Sequence, residues 1–395
     1  MINKKMYELG KEGSVIRELF EYGLKRKQVI GEDKVFDFSI GNPSVESPSI
    51  VNETLINLLQ NEDSLKLHSY TSAPGLLNVR ESIASYLNKT YGCEEKGELI
   101  YLTTGAAAGL TITLNALLNE GDEVIVFAPY FPEYKVFIES ANGKVVAVNP
   151  LENMLPDLKD FESKINKNTK VVIVNSPNNP TGALYDEDVI KGISNILVNK
   201  EKEYGHDIYL LSDEPYRELV YGNEKYPFVT NYYHNSLVIY SFSKSLSLPG
   251  ERIGYILVSS KCNEKEVVYA SIKGAGRALG FVCPTSLFQH LIPSCLGITS
   301  DLNIYKENRD ILYNALKEYG YEAIYPTGAF YLFVKALEED AYEFSNRAKK
   351  HELLLVPSDP FGIEGYVRIS YCVSKKTILD SLEAFKKLKE EYEKE

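Results

Sequence analysis

The sequence has few of the residues that build metal sites and disulfide frameworks. The 395-residue chain contains no tryptophan, three methionines and five histidines, and its five cysteines are scattered without a CxxC pair. The histidines form no HExxH motif and lie far apart, which argues against a metal site. Dispersed cysteines in odd number predict free thiols in a reducing cytosol. We therefore expect a cytoplasmic protein without a bound metal ion.

Long apolar runs and an excess of positive charge are also missing. No apolar run approaches the roughly 20 residues that a membrane span needs. The formal net charge is −12 and the pI about 5.2. Nucleic acids and anionic membranes bind basic surfaces, so neither is an expected partner. Any anionic ligand must be held by arginines placed locally.

Short β-rich runs occupy the middle of the chain and alternate with helical stretches. Several runs are apolar at successive positions, as expected for strands covered on both faces. The alternation predicts an α/β fold with a mainly parallel, seven-stranded wound sheet, whose ligands bind beyond the C-terminal strand ends. The predicted strands are residues 99–103, 124–127, 144–148, 171–174, 208–212, 237–241 and 254–258.

The pattern changes near residue 286, where a long helical region and short separated strands begin. We predict a smaller α+β domain from residues 286–395 together with the N-terminal residues 1–44, where residues 36–40 alternate like a strand. Residues 45–285 then form the large, ligand-binding domain.

Lys244 is the most informative residue. It follows an apolar strand, lies between Ser243 and Ser245, and precedes Arg252 by eight residues. A lone lysine is usually a solvated cation. In this setting it can hold an aldehyde as a Schiff base while its neighbours bind an attached phosphate.

Further candidates follow other strands, and each has a plain structural alternative. Asp213 can keep a pyridine ring nitrogen protonated, or simply cap a helix. Tyr216 and Asn179 can donate to a phenolate oxygen, or serve as core and turn residues. Arg252 and Arg368 suit phosphate or carboxylate, although surface arginines are common. The junction Gly105-Ala106-Ala107 can offer helix N–H groups to an anion, or merely pack closely.

The set of motifs resembles the class I/II aminotransferases, pyridoxal-phosphate enzymes of fold type I that include aspartate aminotransferase. The resemblance covers about residues 36–368 and is specific because the motifs occur in order. The matching segments are Tyr70 with Pro74-Gly75-Leu76, residues 178–182, residues 213–216, residues 241–244 and residues 252–254.

The resemblance implies pyridoxal 5′-phosphate as cofactor and a role for each matched position. Lys244 forms the Schiff base and moves the proton, Asp213 pairs with the pyridinium, and Tyr216 and Asn179 bond the phenolic oxygen. The substrate α-carboxylate is bound by Arg368 with help from Gly41 and Asn179. The remaining implied cofactor ligands are Gly105, Ala106, Ala107, Phe131, Ser241, Ser243 and Arg252.

The resemblance also implies a homodimer with shared sites, because Tyr70 would reach the phosphate of the neighbouring subunit. Arg277 lies where relatives place an intersubunit arginine for a distal carboxylate, and a surface role is the equal alternative. Cis peptide bonds are expected before Pro180 and Pro129.

The implied activity is ping-pong transfer of an amino group from an L-amino acid to a 2-oxo acid, with aspartate or another dicarboxylate as a candidate donor. A lyase on the same fold, breaking a C–S bond or eliminating at Cβ, is the first alternative. A cofactor-binding regulatory domain is the second, and the absence of a basic DNA-binding module argues against it.

Overall fold

The computed structural model describes residues 2–11 and 13–394, so Met1, Glu12 and Glu395 of the predicted N- and C-terminal ranges lie outside the described residues. The helices are α1 (Lys4–Lys11), α2 (Val15–Ile30), α3 (Ser49–Asn61), α4 (Ser64–His68), α5 (Leu77–Tyr91), α6 (Ala106–Leu117), α7 (Glu133–Ser140), α8 (Leu158–Lys164), α9 (Glu187–Tyr204), α10 (Phe242–Ser245), α11 (Lys265–Leu279), α12 (Ser286–Cys295), α13 (Asn303–Glu318), α14 (Ala341–Lys350) and α15 (Lys375–Glu393). The strands are β1 (Phe36–Asp37), β2 (Ile100–Thr103), β3 (Glu123–Phe127), β4 (Lys144–Val148), β5 (Thr169–Asn175), β6 (Tyr209–Asp213), β7 (Ser236–Ser241), β8 (Gly254–Val258), β9 (Ala323–Ile324), β10 (Tyr331–Lys335), β11 (Leu353–Leu354), β12 (Val356–Pro357) and β13 (Tyr366–Ser370).

The large sheet has seven strands in the order β2-β8-β7-β6-β5-β3-β4. Its strands pair in parallel except β8, which is antiparallel to both β2 and β7. The predicted mainly parallel, seven-stranded sheet is therefore confirmed, and each predicted run forms one of its strands. Because β8 reverses between them, β2 and β7 run in the same direction.

The sheet is buried on both faces, which explains the apolar runs. In β5, Val172 and Val174 belong to one core, whereas Val171 and Ile173 belong to the core on the opposite face. This alternation follows from the two-residue period of a strand. Helices α5, α9 and α12 supply Ile83, Ile190 and Ile292 to the first core, and α6, α7 and α11 supply Leu114, Ile138 and Ile272 to the other.

A second, antiparallel sheet with the order β12-β13-β10-β9 packs with α13, α14 and α15 around a separate core. The N-terminal segment joins this part through β1, which pairs in parallel with β11. Helix α12 lies beyond residue 285 but packs against α3, α4 and α5. The division of the chain into residues 45–285 and the remainder stays a prediction.

The two sheets bring their functional side chains to one place. Strands β2, β5, β6 and β7 all end at the same edge of the large sheet, where ligands of such folds bind. Their last residues include Asn175, Asp213 and Ser241. From the second sheet, β10 and β13 contribute Tyr331 and Arg368 to the same cavity.

The cis peptide bonds agree with the sequence prediction at one of two positions. The bond before Pro129 is cis, as expected, but the second cis bond precedes Pro177 and not Pro180. Pro180 instead lies inside a turn closed by a hydrogen bond from the Gly182 N–H to the Asn178 carbonyl. Among the described helices, none is both long and apolar enough to cross a membrane.

Candidate active site

A cavity of about 280 Å³ lies between the edge of the large sheet and the second sheet. Most of the residues predicted from sequence line it, although they come from distant parts of the chain. These lining residues are Gly41, Ala106, Ala107, Phe131, Asn179, Asp213, Tyr216, Ser241, Ser243, Lys244, Arg252 and Arg368.

Lys244 is fixed in the short helix α10, whose N-terminal N–H at Ser243 bonds the Ser241 hydroxyl at 3.1 Å. Its Nζ donates to the Gly41 carbonyl at 2.6 Å. The pKa of Lys244 is lowered to about 8, mainly by burial; the Cys372 thiol opposes this shift, and the Arg252 and Arg368 charges contribute to it. A lysine with a lowered pKa offers more neutral amine near neutral pH, and neutral amine is the form that attacks a carbonyl.

Asp213 presents one free carboxylate oxygen to its surroundings. Oδ2 accepts a hydrogen bond of 2.6 Å from the Tyr134 hydroxyl, whereas Oδ1 is buried without a partner among the described residues. Burial raises the pKa of Asp213 to about 7, and the bond from Tyr134 counteracts this rise. A buried, unpartnered carboxylate oxygen is costly, so Oδ1 suits a ligand that carries an N–H group.

Asn175 connects Asp213 with the turn that carries Asn179. Its Nδ2 donates to the Asp213 carbonyl at 2.9 Å, and its Oδ1 accepts the Asn179 N–H at 2.8 Å. Both asparagines are buried and line the cavity. The Asn175 side chain, at the end of β5, thus fixes the backbone of both Asp213 and Asn179.

Arg368 is almost fully buried, with 2% of its surface exposed. Its Nη1 donates to Asn179 Oδ1 at 3.0 Å and its Nη2 donates to the Ser39 carbonyl, while Nε has no partner in the described chain. Burial lowers the pKa of this guanidinium. A buried cation whose only polar partners are neutral lacks a counter-ion, so its chemistry suits a carboxylate ligand.

An anion-binding corner lies at the N-terminus of α6. Gly105 precedes α6 with φ +86°, and a Cβ at that position would lie 2.6 Å from Nη2 of Arg252. The Ser241 hydroxyl donates to the Ser243 hydroxyl at 2.6 Å in the same cavity. Helix N–H groups, hydroxyls and a guanidinium are the ligands that phosphate takes.

Sequence reasoning missed several residues of this cavity. Tyr134 bonds Asp213, and Tyr331 bonds Tyr216 with 2.7 Å between the hydroxyl oxygens. Tyr331 begins an apolar strand and Tyr134 lies in an amphipathic helix, and in both settings an aromatic residue normally indicates core. Tyr134 lies behind the lining residues, and six further lining residues were not predicted: Ile16, Ile40, Leu110, Asn175, Pro215 and Pro249. For Asn175, its position at a strand end beside the predicted turn was the available signal.

Three predicted residues do not line the cavity of this chain. Gly105 precedes the lining residues Ala106 and Ala107 but does not line it itself. The other two lie away from it. Tyr70 is 97% exposed, and Arg277 is exposed on α11. Neither lines the cavity, as described for residues 2–11 and 13–394. Both had been assigned to a site on a neighbouring subunit, and that assignment stays a prediction.

Comparison with known proteins decides the family. The sequence profile of the family described as aminotransferase class I and II matches residues 33–385. The chain belongs to this family. An aspartate aminotransferase of Pyrococcus horikoshii is 32% identical over 384 residues, which cover 95% of this chain and 94% of that protein.

Solved structures give the same answer for the fold. The crystal structure of an amino transferase from Eubacterium rectale superposes with a TM-score of 0.96 at 51% identity and covers 99% of both chains. Aspartate aminotransferase from Thermotoga maritima superposes with a TM-score of 0.86 at 28% identity, covering 98% of this chain and 99% of that one. The protein is therefore an aminotransferase of fold type I, a class of enzymes that depends on pyridoxal phosphate.

Proposed function

We propose that the cavity binds pyridoxal 5′-phosphate and that the enzyme moves an amino group from an L-amino acid to a 2-oxo acid by a ping-pong mechanism. One observation carries the proposal: the unpartnered, buried Oδ1 of Asp213 shares a cavity with Lys244, whose pKa is lowered. A pyridinium N–H satisfies the first group, and an aldehyde reacts with the second.

When bound, the cofactor supplies a conjugated ring that accepts the electron pair left on the substrate Cα. Asp213 would keep the ring nitrogen protonated, and Phe131, which also lines the cavity, would contact the ring. The phosphate is held by Ser241, Ser243, Arg252 and the first N–H groups of α6. Lys244 accepts the Cα proton and returns it, because its amine is neutral to a useful degree near neutral pH.

The substrate is oriented by Arg368 and Asn179. Arg368 binds the α-carboxylate, and Asn179, which accepts from Nη1 through Oδ1, keeps Nδ2 as a donor for the phenolic oxygen of the cofactor. One side chain thus contacts both the substrate site and the cofactor site. Fixing the carboxylate orients the Cα–H bond for cleavage, which is the main gain from such positioning.

We infer that the donor is a dicarboxylate such as aspartate. Curated relatives from Pyrococcus horikoshii and Thermotoga maritima are aspartate aminotransferases. The cations lining the cavity of this chain are Lys244, Arg252 and Arg368, and each already has a role. A distal carboxylate therefore requires a cation from a neighbouring subunit, and Arg277 is our candidate.

The rate ratio of aspartate to alanine tests Arg277. Arg277→Ala should lower this ratio at least about tenfold, the loss expected for one charged hydrogen bond. The matched control is Lys265→Ala at the other end of α11, which should leave the ratio unchanged. An equal ratio in both variants would reject this role.

We infer a homodimer with shared sites from an exposed apolar surface around Tyr70. Leu65, Leu77 and Val282 are large apolar side chains that are exposed on this part of the chain. The backbone near Val282 is tied to the segment after Tyr70, because the Cys283 N–H bonds the Ala73 carbonyl at 3.2 Å. Such a surface is typical of a protein interface.

Mixed dimers test the sharing of sites. A Lys244→Ala chain and a Tyr70→Ala chain are each expected to be impaired. If Tyr70 serves the neighbouring site, their mixture must regain activity, because the hybrid contains one intact site. A mixture no more active than the sum of its parts would contradict a shared site, and light scattering reports the mass of each sample.

A donor panel with 2-oxoglutarate tests the activity itself. We expect glutamate to form from the preferred amino acid, and we expect Lys244→Ala to abolish this transfer. Pyruvate and ammonia released without an amino acceptor would indicate the lyase instead.

All five cysteines are described and carry free thiols, which supports a reducing, cytoplasmic location.

A further inference from the structure

Tyr216 and Tyr331 form a buried pair of hydroxyl groups within the cavity. Their oxygens lie 2.7 Å apart, and their rings meet edge to face at a centroid distance of 5.5 Å. Tyr216 follows β6 of the large sheet, whereas Tyr331 begins β10 of the second sheet. The pair is therefore a direct polar contact between the cofactor side and the substrate side of the site.

The surroundings of Tyr331 place it against the residues assigned to the substrate carboxylate. The guanidinium carbon of Arg368 lies 4.8 Å from the centre of the Tyr331 ring. Gly41 leaves room for the hydroxyl, since a Cβ at position 41 would lie 2.1 Å from the Tyr331 oxygen. Any larger residue at position 41 would displace this hydroxyl from Tyr216.

The direction of the hydrogen bond within the pair follows from the role of Tyr216. Either hydroxyl can donate when Tyr216 and Tyr331 are considered alone, but only one proton fits between oxygens 2.7 Å apart. If Tyr216 directs its own proton to the phenolic oxygen of the cofactor, it must accept from Tyr331. A hydroxyl that accepts a hydrogen bond becomes a stronger donor, because the two bonds polarise each other.

We propose that Tyr331 is a positioning residue that donates to Tyr216 and so directs the Tyr216 proton toward the cofactor oxygen. This inference rests on the proposed function, because it needs the cofactor in the cavity. It adds to that function a hydrogen bond between the hydroxyl that serves the cofactor oxygen and a tyrosine whose ring contacts the carboxylate-binding Arg368.

The visible absorption band of the bound cofactor tests this proposal. A hydrogen bond to the phenolic oxygen stabilises the form of the cofactor in which this oxygen is ionised and the neighbouring imine nitrogen carries no proton. Removing the donor must therefore raise the pH midpoint of the absorption change. Tyr331→Phe should raise the midpoint by about 0.5 to 1 pH unit, the equivalent of one neutral hydrogen bond. Tyr216→Phe should raise it further.

The double variant distinguishes a positioning role from an independent one. If Tyr331 acts through Tyr216, the midpoint of Tyr216→Phe/Tyr331→Phe must equal that of Tyr216→Phe alone. Additive shifts would overturn the proposal, as would an unchanged midpoint in Tyr331→Phe. The other titratable or charged groups around the pair stay in place in every variant: Tyr134, Asp213, Lys244, Arg368 and Cys372.

Two controls separate this result from other failures. Tyr321→Phe removes a buried hydroxyl of the same core, which bonds the Phe385 carbonyl at 2.8 Å, and must leave the midpoint unchanged. The KM for the amino acid should change less than about twofold in Tyr331→Phe, since the ring beside Arg368 is kept. A wild-type protein without a visible cofactor band would refute the proposed function and this inference with it, whereas a band whose midpoint is unchanged in Tyr331→Phe would refute this inference alone.

Discussion

Asn179 and Arg368 are joined by a hydrogen bond of 3.0 Å between the amide oxygen and Nη1. Asn179 belongs to the turn after β5, and Arg368 lies in β13 of the second sheet. The bond orients both groups: it holds the guanidinium in a buried position and leaves the Nδ2 group of Asn179 as a donor. We propose that these two side chains, through their contact, position substrate and cofactor relative to each other.

Asn179→Ala should mainly weaken substrate binding. Arg368 already has an unpartnered Nε, and the variant removes the acceptor of Nη1 as well, so the guanidinium loses its orientation. A hydrogen bond to a charged group is worth about 1.5 to 3 kcal/mol, which corresponds to roughly a 10- to 100-fold rise in KM. Steady-state kinetics and the affinity for maleate, a non-reacting dicarboxylate, measure the effect.

Asn179→Asp provides the matched comparison. The new carboxylate would neutralise Arg368 and compete with the substrate carboxylate, so its KM should rise more than in Asn179→Ala. Equal KM values in the two variants and the wild type would show that Asn179 does not orient Arg368.

Tyr134→Phe should shift the pH dependence of cofactor binding. Burial raises the pKa of Asp213 to about 7, and the Tyr134 hydroxyl opposes this rise, so its removal raises the pKa further. The pyridinium needs the ionised carboxylate. Affinity for pyridoxal phosphate is therefore lost as the pH falls through this pKa, and the variant should lose it at a higher pH.

Titration of the apoenzyme with pyridoxal phosphate at several pH values measures this shift. Tyr185→Phe is the control, because Tyr185 is a buried tyrosine near Tyr134 that has no hydrogen bond to Asp213 in the described structure. If the affinity is lost at the same pH in the wild type, Tyr134→Phe and Tyr185→Phe, a role for Tyr134 would be contradicted.

Strands of the large sheet could be predicted because burial on both faces leaves a continuous apolar run. The N-terminal strand was predicted over residues 36–40 but spans only Phe36–Asp37. Asp37 accepts hydrogen bonds from the N–H and the hydroxyl of Ser39, and this local turn ends the pairing with β11. Side-chain bonds of this kind compete with a strand and are invisible to hydrophobic alternation.

The site was predictable where chemistry is tied to a strand end and hidden where it depends on tertiary contact. Asp213 ends β6 and Lys244 follows β7, so parallel topology alone brings them to one edge. Tyr331 comes from a different sheet and meets Tyr216 across 115 positions of sequence. Its neighbours in the chain are apolar, so no local pattern separates it from a core tyrosine.

Gly105→Ala should weaken cofactor binding through Arg252. The new Cβ would lie 2.6 Å from Nη2 of Arg252. We expect the flexible Arg252 side chain to move away from the anion-binding corner in response. Gly121→Ala is a matched control, since Gly121 also has a positive φ (+92° against +86°) but has open space around its missing Cβ. Both variants place a Cβ at a positive φ, and Gly105 also has ψ 175°, a backbone region that is essentially confined to glycine.

The two glycine variants are separated by cofactor affinity. Denaturant unfolding measures the loss of stability in each, and we expect the larger loss for Gly105→Ala. The Kd for pyridoxal phosphate should rise at least about tenfold in Gly105→Ala, because a charged phosphate ligand is displaced, and stay unchanged in Gly121→Ala. An unchanged Kd in Gly105→Ala would mean that Arg252 does not bind the phosphate from this position.

Lys244→Met should stabilise the apoenzyme at neutral pH while abolishing catalysis. Burial lowers the pKa of Lys244 from 10.5 to about 8, so between these values the unfolded chain binds more protons than the folded one. Stability therefore rises with pH across this window, and below about pH 8 the full cost of a buried ammonium is present. The gain on substitution should be on the order of 1 to 3 kcal/mol at pH 7 and shrink towards pH 10. Urea unfolding of apoenzymes measures it, with the exposed Lys273→Met as control; a gain independent of pH would show that charge burial at Lys244 is not its source.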